Sequence, residues 1–137
     1  MSEERIKKYT IDQNETTYNA LIKIENNSSG TLVVMNKNIV LGILTDGDIR
    51  KLLIAHNRLT VPVKYGMNRN FIFVLDSNDE QGNNSIFEEH PTIRLFPKVN
   101  KEGKLVDILI RPGFWMNWSS MKLDLFNEWD INTFFRN

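Results

Sequence analysis

Cysteine is absent from the 137-residue chain. This excludes disulfides, thiolate catalysis, zinc fingers and iron–sulfur clusters together. Histidine is scarce. His56 and His90 lie far apart in sequence, so a Ser-His-Asp triad or a His-rich metal site has little to draw on. No apolar run approaches the roughly 18 residues that suggest a membrane span. The opening Met1-Ser-Glu-Glu-Arg-Ile-Lys-Lys is charged and lacks the apolar stretch of a signal peptide. A cytoplasmic location without membrane attachment is expected. Charge of one sign is missing as well: 17 Lys and Arg balance 17 Asp and Glu. Residues 1–70 are slightly basic and 71–137 slightly acidic, too weakly to indicate a nucleic-acid partner. What remains fits one globular unit, since a chain of this length buries roughly two-thirds of its unfolded surface.

Residues 5–11 alternate weakly and read as a short strand or an extended lead-in. Thr16 or Thr17 can cap a helix that runs to about Asn26. Asn26-Asn-Ser-Ser-Gly30 stops it, with Gly30 able to take the left-handed conformation. Thr31-Leu-Val-Val-Met35 and Ile39-Val-Leu-Gly-Ile-Leu44 are buried-type runs around a tight turn, so 31–44 reads as a hairpin. Thr45 or Asp46 then caps a helix whose apolar face holds Ile49, Leu52 and Leu53 and which ends near His56. Residues 58–66 are a connector with room for one helical turn. Phe71-Ile-Phe-Val74 is the next strand, and residues 77–90 are a helix weakened by Gly82 and several asparagines. Thr92–Val99 is a strand in which Pro97 requires an edge or a bulge. Lys104–Ile110 is the last strand.

The second half repeats the first. Asn38-Ile-Val-Leu-Gly-Ile-Leu matches Gly103-Lys-Leu-Val-Asp-Ile-Leu, and each copy carries a small sheet with helices on one face. Neither copy buries its apolar face alone, so the two are expected to pack sheet to sheet. The fold class is α/β (α+β by some conventions), built from two βαββα units. Residues 111–137 fit neither copy. They hold Phe114, Trp115, Trp118, Phe126, Trp129, Phe134 and Phe135, half of the chain's aromatics, a composition unlike that of disordered tails.

The residues with chemical potential are concentrated in Gly42-Ile-Leu-Thr-Asp-Gly-Asp-Ile-Arg50. A buried strand ends at Thr45 and a helix begins at once, presenting free N–H groups and the positive end of the helix dipole to a phosphate. Thr45 adds a hydroxyl, and Gly47 lets a ligand approach the backbone. Asp48, one turn in, can accept from paired sugar hydroxyls. The plainer interpretation of the same residues is a capped helix with a solvated Asp-Gly-Asp. Asp46 and Asp48 offer little to a metal ion, because the twelve-residue calcium-loop pattern is absent, and no metal site is expected.

The segment Gly42-Ile-Leu-Thr-Asp-Gly-Asp48 resembles the Gly-h-h-Thr-x-x-Asp ligand motif of cystathionine-β-synthase (CBS) domains, which occur in tandem as the Bateman module. Together with Val63-Lys-Tyr-Gly-Met-Asn-Arg-Asn-Phe71 it resembles the CBS pairs attached to bacterial sugar-phosphate nucleotidyltransferases and sugar-phosphate isomerases. The resemblance covers about residues 6–111 and divides the chain into repeat 1 (1–66), a degenerate repeat 2 (67–111) and an aromatic extension (112–137). It implies a non-catalytic regulatory pair that forms a homodimer, requires no cofactor and binds AMP, ADP, ATP or a related ligand between the copies. Asp48 would hold the ribose and Thr45 the phosphates, with Asp46 and Gly47 beside them. The base would lie near Tyr9 and Ile11 and the strand that begins at Thr31. In repeat 2 the motif positions are Asp107, Ile110 and Gly113, with Pro112 disfavouring a helix out of the strand, so at most one nucleotide site per chain is expected.

The resemblance also implies a place in activated-sugar or surface-polysaccharide metabolism, with a sugar-nucleotide enzyme as partner. In the rival interpretation the chain is a structural dimerisation module with a vestigial site, docking a partner enzyme through its aromatic tail, which holds Trp115, Trp118, Phe126 and Trp129, since Trp and Phe are enriched at interfaces.

Overall fold

The computed structural model describes residues 3–77 and 80–111. The chain runs through α1 (Glu3–Tyr9), β1 (Thr10–Asp12), α2 (Thr17–Asn27), β2 (Thr31–Asn36), β3 (Ile39–Thr45) and α3 (Asp46–His56). A 3₁₀ turn at Val63–Tyr65 leads to β4 (Val74–Leu75), α4 (Glu80–Glu89), β5 (Leu95–Val99) and β6 (Leu105–Ile110). The strands form two three-stranded sheets, ordered β1-β2-β3 and β4-β5-β6. In each, the first pair is parallel and the second antiparallel.

The repeat detected in the sequence is present at the level of hydrogen-bond register. Thr31 pairs with Thr45 and Val34 with Gly42, and the register shifts between Val34 and Met35. Leu95 pairs with Ile110 and Lys98 with Asp107, and the register shifts between Lys98 and Val99. Backbone bonds outside the ladders repeat too: Asp46 N–H donates to Gly30 O at 3.1 Å, and Arg111 N–H donates to Arg94 O at 2.9 Å. Gly30 and Arg94 are therefore counterparts, as are Gly42 and Asp107.

Three apolar clusters hold the molecule together. Ala20 and Ile24 of α2 and Ile49 of α3 pack on Leu32, Val34 and Leu44. Phe87 of α4 packs on Val74 and Phe96. Between the sheets, Val33 and Val40 of the first meet Leu95, Val99 and Ile108 of the second, the expected sheet-to-sheet contact. The hairpin tips are stitched as well: Val40 N–H donates to Gly103 O and Leu105 N–H to Asn38 O.

Several elements depart from the sequence-based expectations. The lead-in at 5–11 is mostly helix. Glu3 and Glu4 in its first turn and Lys7 and Lys8 in its last suit the helix dipole. Lys23 Nζ reaches over from α2 to donate to the carbonyls of Lys7 and Thr10 at 2.8 and 2.7 Å. The strand expected at 71–74 shrinks to Val74–Leu75, paired with Lys98 and Val99. The next partner along β5 is Pro97, which has no N–H to extend a ladder. Although β5 is the central strand, Pro97 thus has a partner on one side only, next to the register shift. Ser28, at φ 58°, rather than Gly30 is the left-handed C-cap of α2; Gly30 is left-handed too, at φ +69°. The aromatic extension, residues 112–137, lies outside the described residues.

Candidate functional site

The junction of β3 and α3 is fixed by a capping box. Thr45 Oγ1 accepts from the Asp48 N–H at 3.3 Å, and Asp48 Oδ2 accepts from the Thr45 N–H at 2.9 Å. The Thr45 hydroxyl donates to the same Oδ2 at 2.9 Å. This arrangement satisfies free N–H groups of the first helical turn from within. Across from it, buried Asn27 holds the loop before β2: its Oδ1 accepts from the Ser29 N–H and hydroxyl, and its Nδ2 donates to Thr31 O.

These two fixed segments form one wall of a cleft of about 470 Å³. Gly30, Thr31, Thr45, Asp46, Gly47 and Arg50 come from repeat 1, and Arg94 and Leu95 face them from repeat 2. Asn68, Asn70, Phe71 and Ile72, at the start of repeat 2, line it as well. A side chain at position 30 would be strained. A Cβ there would lie 2.9 Å from Asp46 Oδ2 and 3.3 Å from Arg94 Nη1, on a left-handed backbone. Arg94 crosses between the repeats, its Nη1 donating to Ser29 O at 3.4 Å. Arg50 Nη2 lies 3.7 Å from where a Gly47 Cβ would be. The cleft therefore brings together a helix N-terminus, two guanidinium groups and one carboxylate, with Ile43, Phe71, Ile72 and Leu95 as apolar lining.

Of the six expected site residues, Thr31, Thr45, Asp46 and Gly47 line this cleft. Ile11 does not: it is 3% exposed and belongs to the core beneath α2 and α3. Asp48 is not among the lining residues either, its Oδ2 being bonded to Thr45. Arg94, Asn68 and Asn70 were not identified from sequence. The signal for Arg94 was the internal repeat, which aligns it with Gly30.

The corresponding region of repeat 2 is differently occupied. Arg111 stands where Asp46 stands in repeat 1. Its guanidinium donates to the carbonyls of Phe87, His90 and Ile93 and lies 5.0 Å from the centre of the Phe87 ring. Ile110 has no hydroxyl to offer, and Gly113 lies outside the described residues. Among the described residues no three metal-ligating side chains cluster, and no helix is long and apolar enough to cross a membrane.

No protein-family model and no curated protein matches the sequence. The fold does match solved structures. The CBS-pair protein CBSX2 from Arabidopsis thaliana superposes with a TM-score of 0.64 at 19% identity, covering 85% of this chain and 90% of that one. The chain has the CBS-pair fold. The CBS domain protein PAE2072 from Pyrobaculum aerophilum, complexed with AMP, gives a TM-score of 0.60 at 20% identity, covering 82% and 91% of the two chains. Staphylococcus aureus OpuCA gives 0.63 at 21%, covering 85% and 92%. CBSX2 has also been seen in complex with AMP. In this fold the cleft lies between the two repeats, with Ile43, Thr45, Asp46 and Gly47 on one side.

Proposed function

We propose that this CBS pair is a non-catalytic regulatory module that binds one adenine nucleotide in the inter-repeat cleft. The observation that carries this is the meeting of the Thr45–Gly47 turn with Arg94 from the other repeat across a cleft of about 470 Å³. Phosphate is placed at the N-terminus of α3, where the positive end of the helix dipole favours an anion, between Arg50 and Arg94. The base is placed against Ile43, Phe71, Ile72 and Leu95. On binding, the Thr45 hydroxyl turns from Asp48 to the phosphate, and Asp48 Oδ2 keeps its bond from the Thr45 N–H. The AMP complexes of two proteins of the same fold support this ligand class.

Regulation follows because the ligand touches both repeats. A nucleotide that bridges Thr45 and Arg94 favours one relative placement of the two sheets over another, and only such differential affinity can shift the equilibrium. The similarity to CBS pairs of sugar-phosphate nucleotidyltransferases and isomerases supports a bacterial, cytoplasmic role in activated-sugar metabolism beside a partner enzyme. Self-association as a homodimer is supported by apolar side chains exposed on α2 and α3: Tyr18, Ile22 and Ile54. A second possibility, an interaction module with an unused site, is favoured by the Thr45–Asp48 bonds, which complete the capping box without a ligand.

Thermal unfolding with AMP, ADP, ATP, S-adenosylmethionine and GDP-linked sugars separates the two. A ligand that binds the folded state raises the transition temperature by mass action. An increase with an adenine nucleotide that is lost in Arg94→Ala supports the sensor. No increase with any of these compounds supports the interaction module.

A further inference from the structure

Asp46 is the one carboxylate among the described residues that line the nucleotide cleft. It stands at the first position of α3, and its main-chain N–H donates to Gly30 O at 3.1 Å. That bond ties the start of the helix to the loop before β2. The side chain lies over the same loop, with Oδ2 2.9 Å from the point a Gly30 Cβ would occupy. Arg94 Nη1 approaches that point to 3.3 Å from the other repeat. The carboxylate and the guanidinium are thus neighbours above Gly30, where no side chain separates them.

The two aspartates of Thr45-Asp-Gly-Asp48 are engaged differently. Asp48 Oδ2 takes both the N–H and the hydroxyl of Thr45, and Asp48 is not part of the cleft lining. Asp46 is exposed in the cleft, and its carboxylate makes no hydrogen bond or ion pair with a described residue. An ionised carboxylate accepts at two oxygens and cannot donate, so both oxygens of Asp46 are open to donors. Other acceptors in the lining are weaker or engaged. Asn68 Oδ1 already accepts from the Asn70 N–H at 3.0 Å, and the Thr31 hydroxyl is turned to Ser29 O at 3.4 Å. Neutral acceptors also bind a hydroxyl less strongly than a carboxylate does.

We propose that Asp46, two residues before the aspartate expected from the motif, recognises the sugar, and that the ligand class is a 5′-phosphorylated ribonucleoside with its 2′- and 3′-hydroxyls free. This rests on the nucleotide reading of the cleft. The two vicinal hydroxyls donate to the two oxygens of Asp46. The phosphate lies beside them, toward Arg94 and Arg50. The closeness of Asp46 to Arg94 matches the short covalent link between a ribose and its own 5′-phosphate. A deoxynucleotide leaves one carboxylate oxygen without a donor and binds less well.

The test is calorimetric titration of the full chain with AMP, 2′-deoxy-AMP and 3′-deoxy-AMP, for wild type, Asp46→Ala and Asp48→Asn. Wild type is expected to prefer AMP about tenfold over either deoxynucleotide, the value of one hydrogen bond to a charged acceptor. Asp46→Ala is expected to bind all three alike, and Asp48→Asn to keep the preference. All three ligands carry the same phosphate, so neither a general structural loss nor the removal of a negative charge beside Arg94 changes the ratio between them. Asp46→Asn, with only a neutral acceptor, should narrow the preference and serves if the alanine variant fails to fold. No preference in wild type, or one that survives in Asp46→Ala, would overturn the assignment and leave the nucleotide reading standing. A preference lost in Asp48→Asn alone would return the sugar to Asp48 and overturn it too. Absence of AMP binding to wild type would overturn both.

Discussion

Asp48 Oδ2 accepts from both the backbone N–H and the hydroxyl of Thr45, each at 2.9 Å. One carboxylate oxygen thus closes the start of α3 and restrains the hydroxyl assigned to phosphate. In the proposed binding mode, stability and binding therefore compete for the same atoms. Thr45→Ala should lower folding stability by about 1 kcal/mol, the usual cost of losing an N-cap, and Thr45→Ser should restore most of it. Urea unfolding monitored by circular dichroism checks both.

Arg111 is a structural clasp. Its guanidinium serves three carbonyls, those of Phe87, His90 and Ile93, and faces the Phe87 ring. Lysine keeps the charge but loses the planar fork and the stacking. Arg111→Lys should destabilise the chain by about 2 kcal/mol, since hydrogen bonds from a charged donor contribute roughly 1.5–3 kcal/mol each and lysine retains some of them. Denaturant titration gives the value.

Gly42→Ala is expected to be costly although the added group is one methyl. The new Cβ would lie 2.9 Å from the backbone oxygen of Asn68. That segment is tied to β3 by bonds from Ile43 N–H to Asn68 O and from Asn68 N–H to Ile43 O, at 3.0 and 2.8 Å. Overpacking of this kind costs about 1–3 kcal/mol. A thermal unfolding transition unchanged from wild type would contradict the tight contact.

Lys23 gives a pH signature. Burial is the main cause that holds its ammonium below the ordinary value of 10.5; Lys7 acts in the same direction and Glu15 opposes it. The folded state therefore releases this proton before the unfolded state does. As pH rises towards 10.5, the unfolded chain binds more protons at this group, so its contribution to stability increases. Wild type minus Lys23→Met, measured by denaturant unfolding at stepped alkaline pH, should rise over that window. A flat difference would contradict the burial.

Much of this architecture was legible in the sequence, for physical reasons that differ by element. The hairpin of β2 and β3 was plain because Thr31–Met35 and Ile39–Leu44 are dense in branched apolar residues on a short turn. The start of α3 was plain because Thr45 follows a strand and precedes a helical apolar face. The repeat revealed the second sheet. The lead-in was misjudged because α1 buries no residue and depends on Lys23, distant in sequence, for its C-terminal carbonyls. The strand at 71–74 was overextended because the limit comes from Pro97 on its neighbour. Among the residues that line the cleft, Thr45, Asp46 and Gly47 stood out in the sequence from the motif and Thr31 from the strand after Gly30. The position of Asp48 was not legible, since the same carboxylate suits a cap and a ribose. Arg94 belongs to the other repeat, and its approach to Gly30 exists only once the sheets are packed.

Isothermal titration calorimetry of the full chain with AMP tests the central claim most directly. The account predicts saturable binding of one AMP per chain, weakened about tenfold or more in Arg94→Ala, the loss of one charge-assisted contact. No binding heat at several temperatures, or two equivalent sites per chain, would contradict it.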